Sequence, residues 1–299
     1  MSGTLAGMDP RQVPALVMRS VENARVALDD GHADKAIKMM TSTDALCSRV
    51  VAPPTVHGLA LRVLADAYLY KAATEAEGAS AGEDAEAATT VETDDSETAE
   101  GDKGEAKREG GDNSGGGKSY VERAKDALNK GLKICKVHDG KAGLPAFMKS
   151  DLAGRMGDLY AALGEIHRGE GNYKDALRYL RLAVGKFEEL GQKDFIAATL
   201  NRVAFTYMDK SEWREALTEL EEAEKIGADA EAESALLSTT FAYKGKCLSA
   251  LENIPGARAA YESALKYGMA CGNVGVNDEA VDFLSRTQSH SLVDDSAFL

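Results

Sequence analysis

The stretch Tyr160–Ala176, YAALGEIHRGEGNYKDA, decides the fold. Its first half places Tyr160, Leu163 and Gly164 on one helical face, and Gly171-Asn-Tyr-Lys-Asp-Ala176 then reads as a turn opening a second helix. The same turn recurs as Gly31-His-Ala-Asp-Lys-Ala36, Ser211-Glu-Trp-Arg-Glu-Ala216 and Glu252-Asn-Ile-Pro-Gly-Ala257. After each of the last three alanines a large apolar residue follows at four and an Ala at seven: Leu180 and Ala183, Leu220 and Ala223, Tyr261 and Ala264. The alanines at 176, 216 and 257 step by 40 and 41 residues, and the upstream small residues Gly164, Ala204 and Gly245 keep the same steps.

Two columns in phase across two helices predict a repeat of helix pairs. The small column should let paired helices cross closely, with the large residue filling the gap between neighbouring pairs. Such a unit cannot bury its apolar face alone and must stack.

The pattern Tyr160-Ala-Ala-Leu163-Gly164-Glu-Ile followed by Gly171-Asn-Tyr173-Lys-Asp-Ala176 resembles a tetratricopeptide unit. The usual period is about 34 residues, so the longer steps resemble the variants found in kinesin light chains and related adaptors. The resemblance implies an all-α, right-handed helical solenoid of about five helix pairs with a C-terminal capping helix.

Working outward, Arg62-Val-Leu64-Ala65-Asp-Ala-Tyr68 reads as an upstream helix, and Val121-Glu-Arg-Ala124 with Leu128 and Gly131 as its mate. Between them the stretch from Glu75 to Gly117 holds fourteen Asp and Glu against Lys103, Lys107 and Arg108. That segment carries a net charge of −11 out of −14 for the chain. Val91 is its one aliphatic residue larger than Ala, so it is expected to stay disordered. The predicted organisation is a first repeat and the first helix of a split repeat over 1–74, and an acidic insertion over 75–118. The second helix of the split repeat covers 119–136, a linker 137–151, three repeats 152–270, a cap 271–287 opened by Asn277, and a frayed tail 288–299.

The acidity, with no concentration of Lys and Arg, excludes direct nucleic-acid binding. No run reaches the roughly 18 apolar residues of a membrane span, and the first residues lack signal-peptide character, which predicts a cytoplasmic or nuclear protein. Cys47, Cys135, Cys247 and Cys271 lack CxxC spacing and read as reduced structural thiols. His32, His57, His138, His167 and His290 are too scattered for a metal site, and His167 falls in a packing column. Gly115-Gly-Gly-Lys118-Ser119 fails the spacing of a phosphate-binding loop and reads as a linker entering a helix. With no catalytic motif in view, the expectation is a non-enzyme with no cofactor and no metal.

Solenoids of this kind bind partners on the surface lined by their upstream helices, and residues off the packing columns point there. Those are Arg62, Asp66 and Tyr70 in the split repeat; Glu165 and Arg168 in the third; Asn201, Arg202, Phe205 and Met208 in the fourth; Tyr243 and Lys246 in the fifth. The Lys, Arg and Asn cluster that grips chaperone C-terminal carboxylates in one subclass is missing, since Ala161 and Glu165 stand where Lys and Asn are wanted.

The expected function is a protein-interaction scaffold that binds peptides or helices of protein partners. As an alternative, an acidic insertion splitting the second repeat resembles the layout of the nuclear autoantigenic sperm protein family of histone chaperones. That resemblance implies that Glu83, Asp84, Glu86, Asp94, Asp95, Glu97, Glu100 and Asp102 shield a basic client such as core histones. A hydrolase or transferase hidden in the scaffold ranks last.

Overall fold

The computed structural model describes residues 10–87, 118–141, 143–229 and 234–296, and every regular element within them is helical. A single-turn 3-10 helix, Pro10–Gln12, leads into α1 (Val13–Asp29), α2 (Ala33–Val50), α3 (Pro54–Ala87) and α4 (Tyr120–Asp139). There follow α5 (Ala146–Gly169), α6 (Tyr173–Glu189), α7 (Lys193–Asp209), α8 (Trp213–Asp229), α9 (Ser234–Ala250), α10 (Ile254–Cys271) and α11 (Val274–Ser296). The fold is all-α, of the tetratricopeptide type.

The repeated turn has one backbone solution. Gly31, Gly171, Ser211 and Glu252 all sit in the left-handed region, at φ of 78°, 74°, 60° and 60°. The next N–H reaches five residues back: His32 to Ala27, Asn172 to His167, Glu212 to Tyr207 and Asn253 to Leu248, at 2.7–2.9 Å. This is the Schellman closure of a helix C-terminus. The following helix starts at once, because the N–H of each column alanine, Ala36, Ala176, Ala216 and Ala257, bonds the carbonyl four before it. Two residues thus end one helix and begin the next, which holds each pair's register.

The chain divides into two units: Met1–Ala52 with Ala60–Ala127, and Pro53–Leu59 with Leu128–Leu299. In the first, α1 packs on α2 through Val13, Val17, Val21, Ala24, Ala36 and Met40, all nearly without exposure. Tyr68 of α3 stacks on Tyr120 of α4 with centroids 6.1 Å apart, and Lys71 bonds Asp34 of α2 at 3.0 Å. Ser119 and Glu122 form a reciprocal capping box at the start of α4, at 3.0 and 3.2 Å, so the Gly-Lys-Ser stretch does end in a helix start.

In the second unit α5 packs on α6, α7 on α8 and α9 on α10, with α6 against α7, α8 against α9 and α10 against α11. Its core includes Leu152, Met156, Leu159, Leu163, Leu180, Leu200 and Leu220, all fully buried. The large column reaches the next helix, with Leu220 in one core cluster with Cys247 of α9 and the Tyr261 ring 4.6 Å from Phe283 of α11. It also fills the close approach inside its own pair: a Cβ on Gly164 would lie 2.7 Å from Leu180, and one on Gly245 would lie 2.7 Å from the Tyr261 ring. A side-chain-free face brings the helix backbone within reach of the large residue opposite.

Several boundaries differ from the sequence expectation. α3 runs on to Ala87, into the stretch expected to be disordered, because Ala and Glu dominate residues 72–87 and are strong helix formers. The rest of the acidic insertion, with Asp94, Asp95, Glu97, Glu100 and Asp102, lies outside the described residues. α5 starts at Ala146, within the expected linker. α11 starts at Val274 and extends through the expected frayed tail to Ser296; its cap is Asn273, whose Oδ1 accepts from the Val276 N–H at 3.3 Å, and not Asn277. Asn277 is one turn too far along, and its Oδ1 is buried without a hydrogen bond.

Candidate functional site

The second unit carries a groove of about 420 Å³ formed by α5, α7 and α9. Helix α5 contributes Glu165 and Arg168, α7 contributes Ala198, Asn201, Arg202 and Phe205, and α9 contributes Leu236, Thr239 and Tyr243. All three are upstream helices of their pairs, so the steps of 40 and 41 residues that align the packing columns also align this face. Six of the residues singled out from the sequence therefore meet here: Glu165, Arg168, Asn201, Arg202, Phe205 and Tyr243.

An alternation of cations and rings lies across the groove. The Arg168 guanidinium sits 4.5 Å from the Phe205 centroid, Phe205 stacks on Tyr243 at 5.2 Å with planes 16° apart, and Lys246 Nζ lies 5.8 Å from the Tyr243 ring. Cations on ring faces and offset ring pairs are each favourable. Arg168 is fixed further by donating to Asp209 at 2.8 Å and to Glu165 at 3.2 Å. Lys246 is held by Glu279 of α11 at 2.9 Å. Burial pushes the Tyr243 phenol above its ordinary range, with Lys246 opposing.

Asn201 forms the floor. It is 5% exposed and donates from Nδ2 to the fully buried Thr240 hydroxyl at 2.8 Å. Arg202 differs from Arg168: its side chain is 46% exposed, and its ion pair with Glu165 is loose at 3.9 Å.

The other expected contact residues fall elsewhere. Met208 is buried with Ala204, Ala216, Leu220 and Cys247 in the core between α7, α8 and α9. The neighbouring helices cover it. Lys246 is beyond the groove wall, engaged with Glu279. Arg62 and Asp66 pair with each other on α3 of the first unit, and Tyr70 is 39% exposed there. His167 packs in its expected column, its ring stacked on Tyr179 at 5.3 Å. Ala198, Leu236, Thr239 and Asp209 were not anticipated. Ala198 and Thr239 are one repeat step apart, so extending the off-column face by one turn toward the helix starts would have found them.

No helix among the described residues is long and apolar enough to cross a membrane, and no trio of His, Cys, Asp and Glu among them is placed to hold a metal ion.

No protein-family model matches the chain, and no curated protein matches it. Solved structures do. The tetratricopeptide-sensor signal-transduction ATPase of Pyrococcus horikoshii superposes with a TM-score of 0.61 at 16% identity, covering 92% of this chain and 34% of its own. A kinesin-light-chain-type repeat protein of Podosopora anserina gives 0.54 at 12% identity, covering 86% and 97%. Aspartyl phosphate phosphatase F of Bacillus subtilis gives 0.55 at 13%, covering 96% and 64%. This chain spans about a third of the ATPase and less than two thirds of the phosphatase. At these identities the likeness is one of fold: tetratricopeptide-type helix pairs.

Proposed function

We propose that this protein is a non-enzymatic interaction scaffold that holds a peptide or helix of a protein partner in the α5, α7 and α9 groove. The observation that carries this is the alignment of Arg168, Phe205, Tyr243 and Arg202 from three helices on one open concavity. Ring faces, a buried amide and guanidinium donors together match the mixture of apolar and polar contact that protein interfaces use. The fold supports the same reading, since stacked helix pairs present extended binding surfaces. Ala198→Trp fills the groove from a partly exposed position and gives the test. Cross-linked partners captured by the wild-type protein and lost by the variant, with unchanged thermal unfolding, support the proposal. A partner set indifferent to Ala198→Trp overturns it.

The alternative, a histone chaperone, rests on the sequence of the acidic insertion alone. Capture of core histones that falls with salt and vanishes on deletion of 75–117 would favour it; no capture at low salt removes it.

A further inference from the structure

We infer that the second unit rests on an anionic lipid bilayer through the end of α4 and the start of α5. Phe147 and Met148 enter the headgroup layer, and Lys133, Lys141 and Lys149 face the lipid phosphates. The contact is peripheral, since no helix among the described residues is long and apolar enough to cross. It is separate from the groove and does not rest on the scaffold reading.

Charge here runs against the trend of the chain. From Lys130 to Asp151 five lysines stand against Asp139 and Asp151, a net charge of +3 on a chain of −14. The acidity of the whole conceals this local excess of lysine. Lys133, Lys136, Lys141 and Lys149 are all exposed. Lys136 is held over the Tyr160 ring at 5.3 Å, so the other three are the ones assigned to lipid.

Apolar side chains are exposed among these lysines. Val137 is 58% exposed, Phe147 64% and Met148 44%. Single exposed apolar residues are ordinary, but three so close in sequence beside a lysine excess are a contact feature.

Helix length makes them project. α5 has 24 residues, whereas α7 and α9 have 17 each. Gly164 matches Ala204 in the packing columns, so Lys193 at the start of α7 matches Ala153, and the seven extra residues of α5 all precede that point. At 1.5 Å per residue they add about 10 Å of helix. Every residue from 146 to 151 is exposed, so no described helix covers this end. α4 ends at the base of the projection: a Cβ on Gly58 would lie 3.3 Å from Cys135 Sγ and 2.9 Å from Arg155 Cγ, which sets the last turns of α4 beside the third turn of α5.

A projecting helix end has no walls to close round a peptide, but it suits a surface that it can press into. The ring and the thioether at its tip gain burial among acyl chains, while lysine stems cross the boundary and their ammoniums meet phosphate. The acidic remainder of the chain is repelled by the same lipids, which favours this end as the point of contact.

The test is flotation of the full chain with vesicles of phosphatidylcholine, with and without phosphatidylserine. Binding is expected only with phosphatidylserine, and it should fall with salt. Lys141→Glu with Lys149→Glu should weaken it at least about tenfold. Phe147→Ala with Met148→Ala should weaken it severalfold and leave its salt dependence. Phe147→Trp should shift its emission to the blue on these vesicles, a change that the wild-type chain, with Trp213 alone, should not show. All these positions are exposed, so thermal unfolding should stay unchanged. No flotation with phosphatidylserine, flotation indifferent to the Lys141 and Lys149 reversal, or an unshifted Phe147→Trp emission overturns the inference. Binding to soluble poly-glutamate where vesicles are refused also overturns it, and makes an acidic protein the partner. Ala198→Trp lies outside this surface and should leave flotation unchanged, so the groove and the bilayer contact stand or fall separately.

Discussion

A Cβ added to Gly245 would lie 2.7 Å from Cε2 of Tyr261, closer than real Cβ contacts come. In the preceding repeat the same two columns hold Ala204 and Leu220, both fully buried. Gly245→Ala should therefore lower stability by about 1–3 kcal/mol despite the better helix propensity of Ala, because the ring cannot move out of a packed core. Tyr261→Leu should relieve most of that penalty. The measurement is a double-mutant cycle by denaturant unfolding, and an additive result would falsify the packing account.

Ser211 and Glu252 occupy the turn position held by glycine in two other repeats, at φ of 60°. Left-handed backbone costs an L-residue roughly 1 kcal/mol. Ser211→Gly and Glu252→Gly should each stabilise by about 0.5–1 kcal/mol, less the added freedom of the unfolded chain. A lower melting temperature in both variants would contradict the shared turn geometry.

Asn201 bonds Thr240 across α7 and α9, and both are buried. Thr240→Val keeps the shape and removes the acceptor, so it should cost about 1–2 kcal/mol. The same variant should also weaken peptide binding in the groove, since the amide is then free to turn. Unchanged stability would show that the pair is dispensable.

Arg181 of α6 pairs with Glu219 of α8, whose side chain is only 11% exposed and whose Oε2 makes no hydrogen bond. Removing the cation leaves a buried charge, whereas removing the charge does not. Arg181→Ala should cost about 1–2 kcal/mol, moderated because Arg181 is nearly half exposed, and Glu219→Gln distinctly less. Equal losses for the two would argue against the buried-charge explanation.

Cys47, Cys135 and Cys247 are buried and Cys271 is exposed. Burial pushes the thiols of Cys135 and Cys247 up to about 11. Mass spectrometry after iodoacetamide treatment at pH 8 should find Cys271 alone modified in the folded protein and all four in denaturant. Because the folded pKa lies above the unfolded value, these thiols contribute stability that is complete below pH 9. It is lost as pH rises toward 11. Alkylation of Cys247 as fast as Cys271 would mean that α9 opens readily.

Much of the groove is legible before any coordinates. Arg168, Asn201, Arg202, Phe205 and Tyr243 all follow from asking which residues of the upstream helices lie off the packing columns, because helical periodicity and a constant repeat step place them on one face. Met208 escapes that logic. Periodicity assigns an angle around one helix, and near the boundary between faces the angle does not say which neighbour covers the residue; the core of α7, α8 and α9 claims Met208. Lys246 lies on the expected face, but α11 supplies Glu279 to neutralise it, and a capping helix has no repeat partner from which that contact could be read.

The helix pairs of the second unit and their phase are determined by the sequence alone, since local turn chemistry and column spacing act over a few residues and repeat. The partition of the charges was decided by tertiary structure. Arg168 and Arg202 are alike as letters, yet Asp209, Glu165 and Phe205 immobilise the first, while the second keeps a loose contact and nearly half its surface. Ion-pair choice depends on distances between helices 40 residues apart in sequence, and only packing sets those distances.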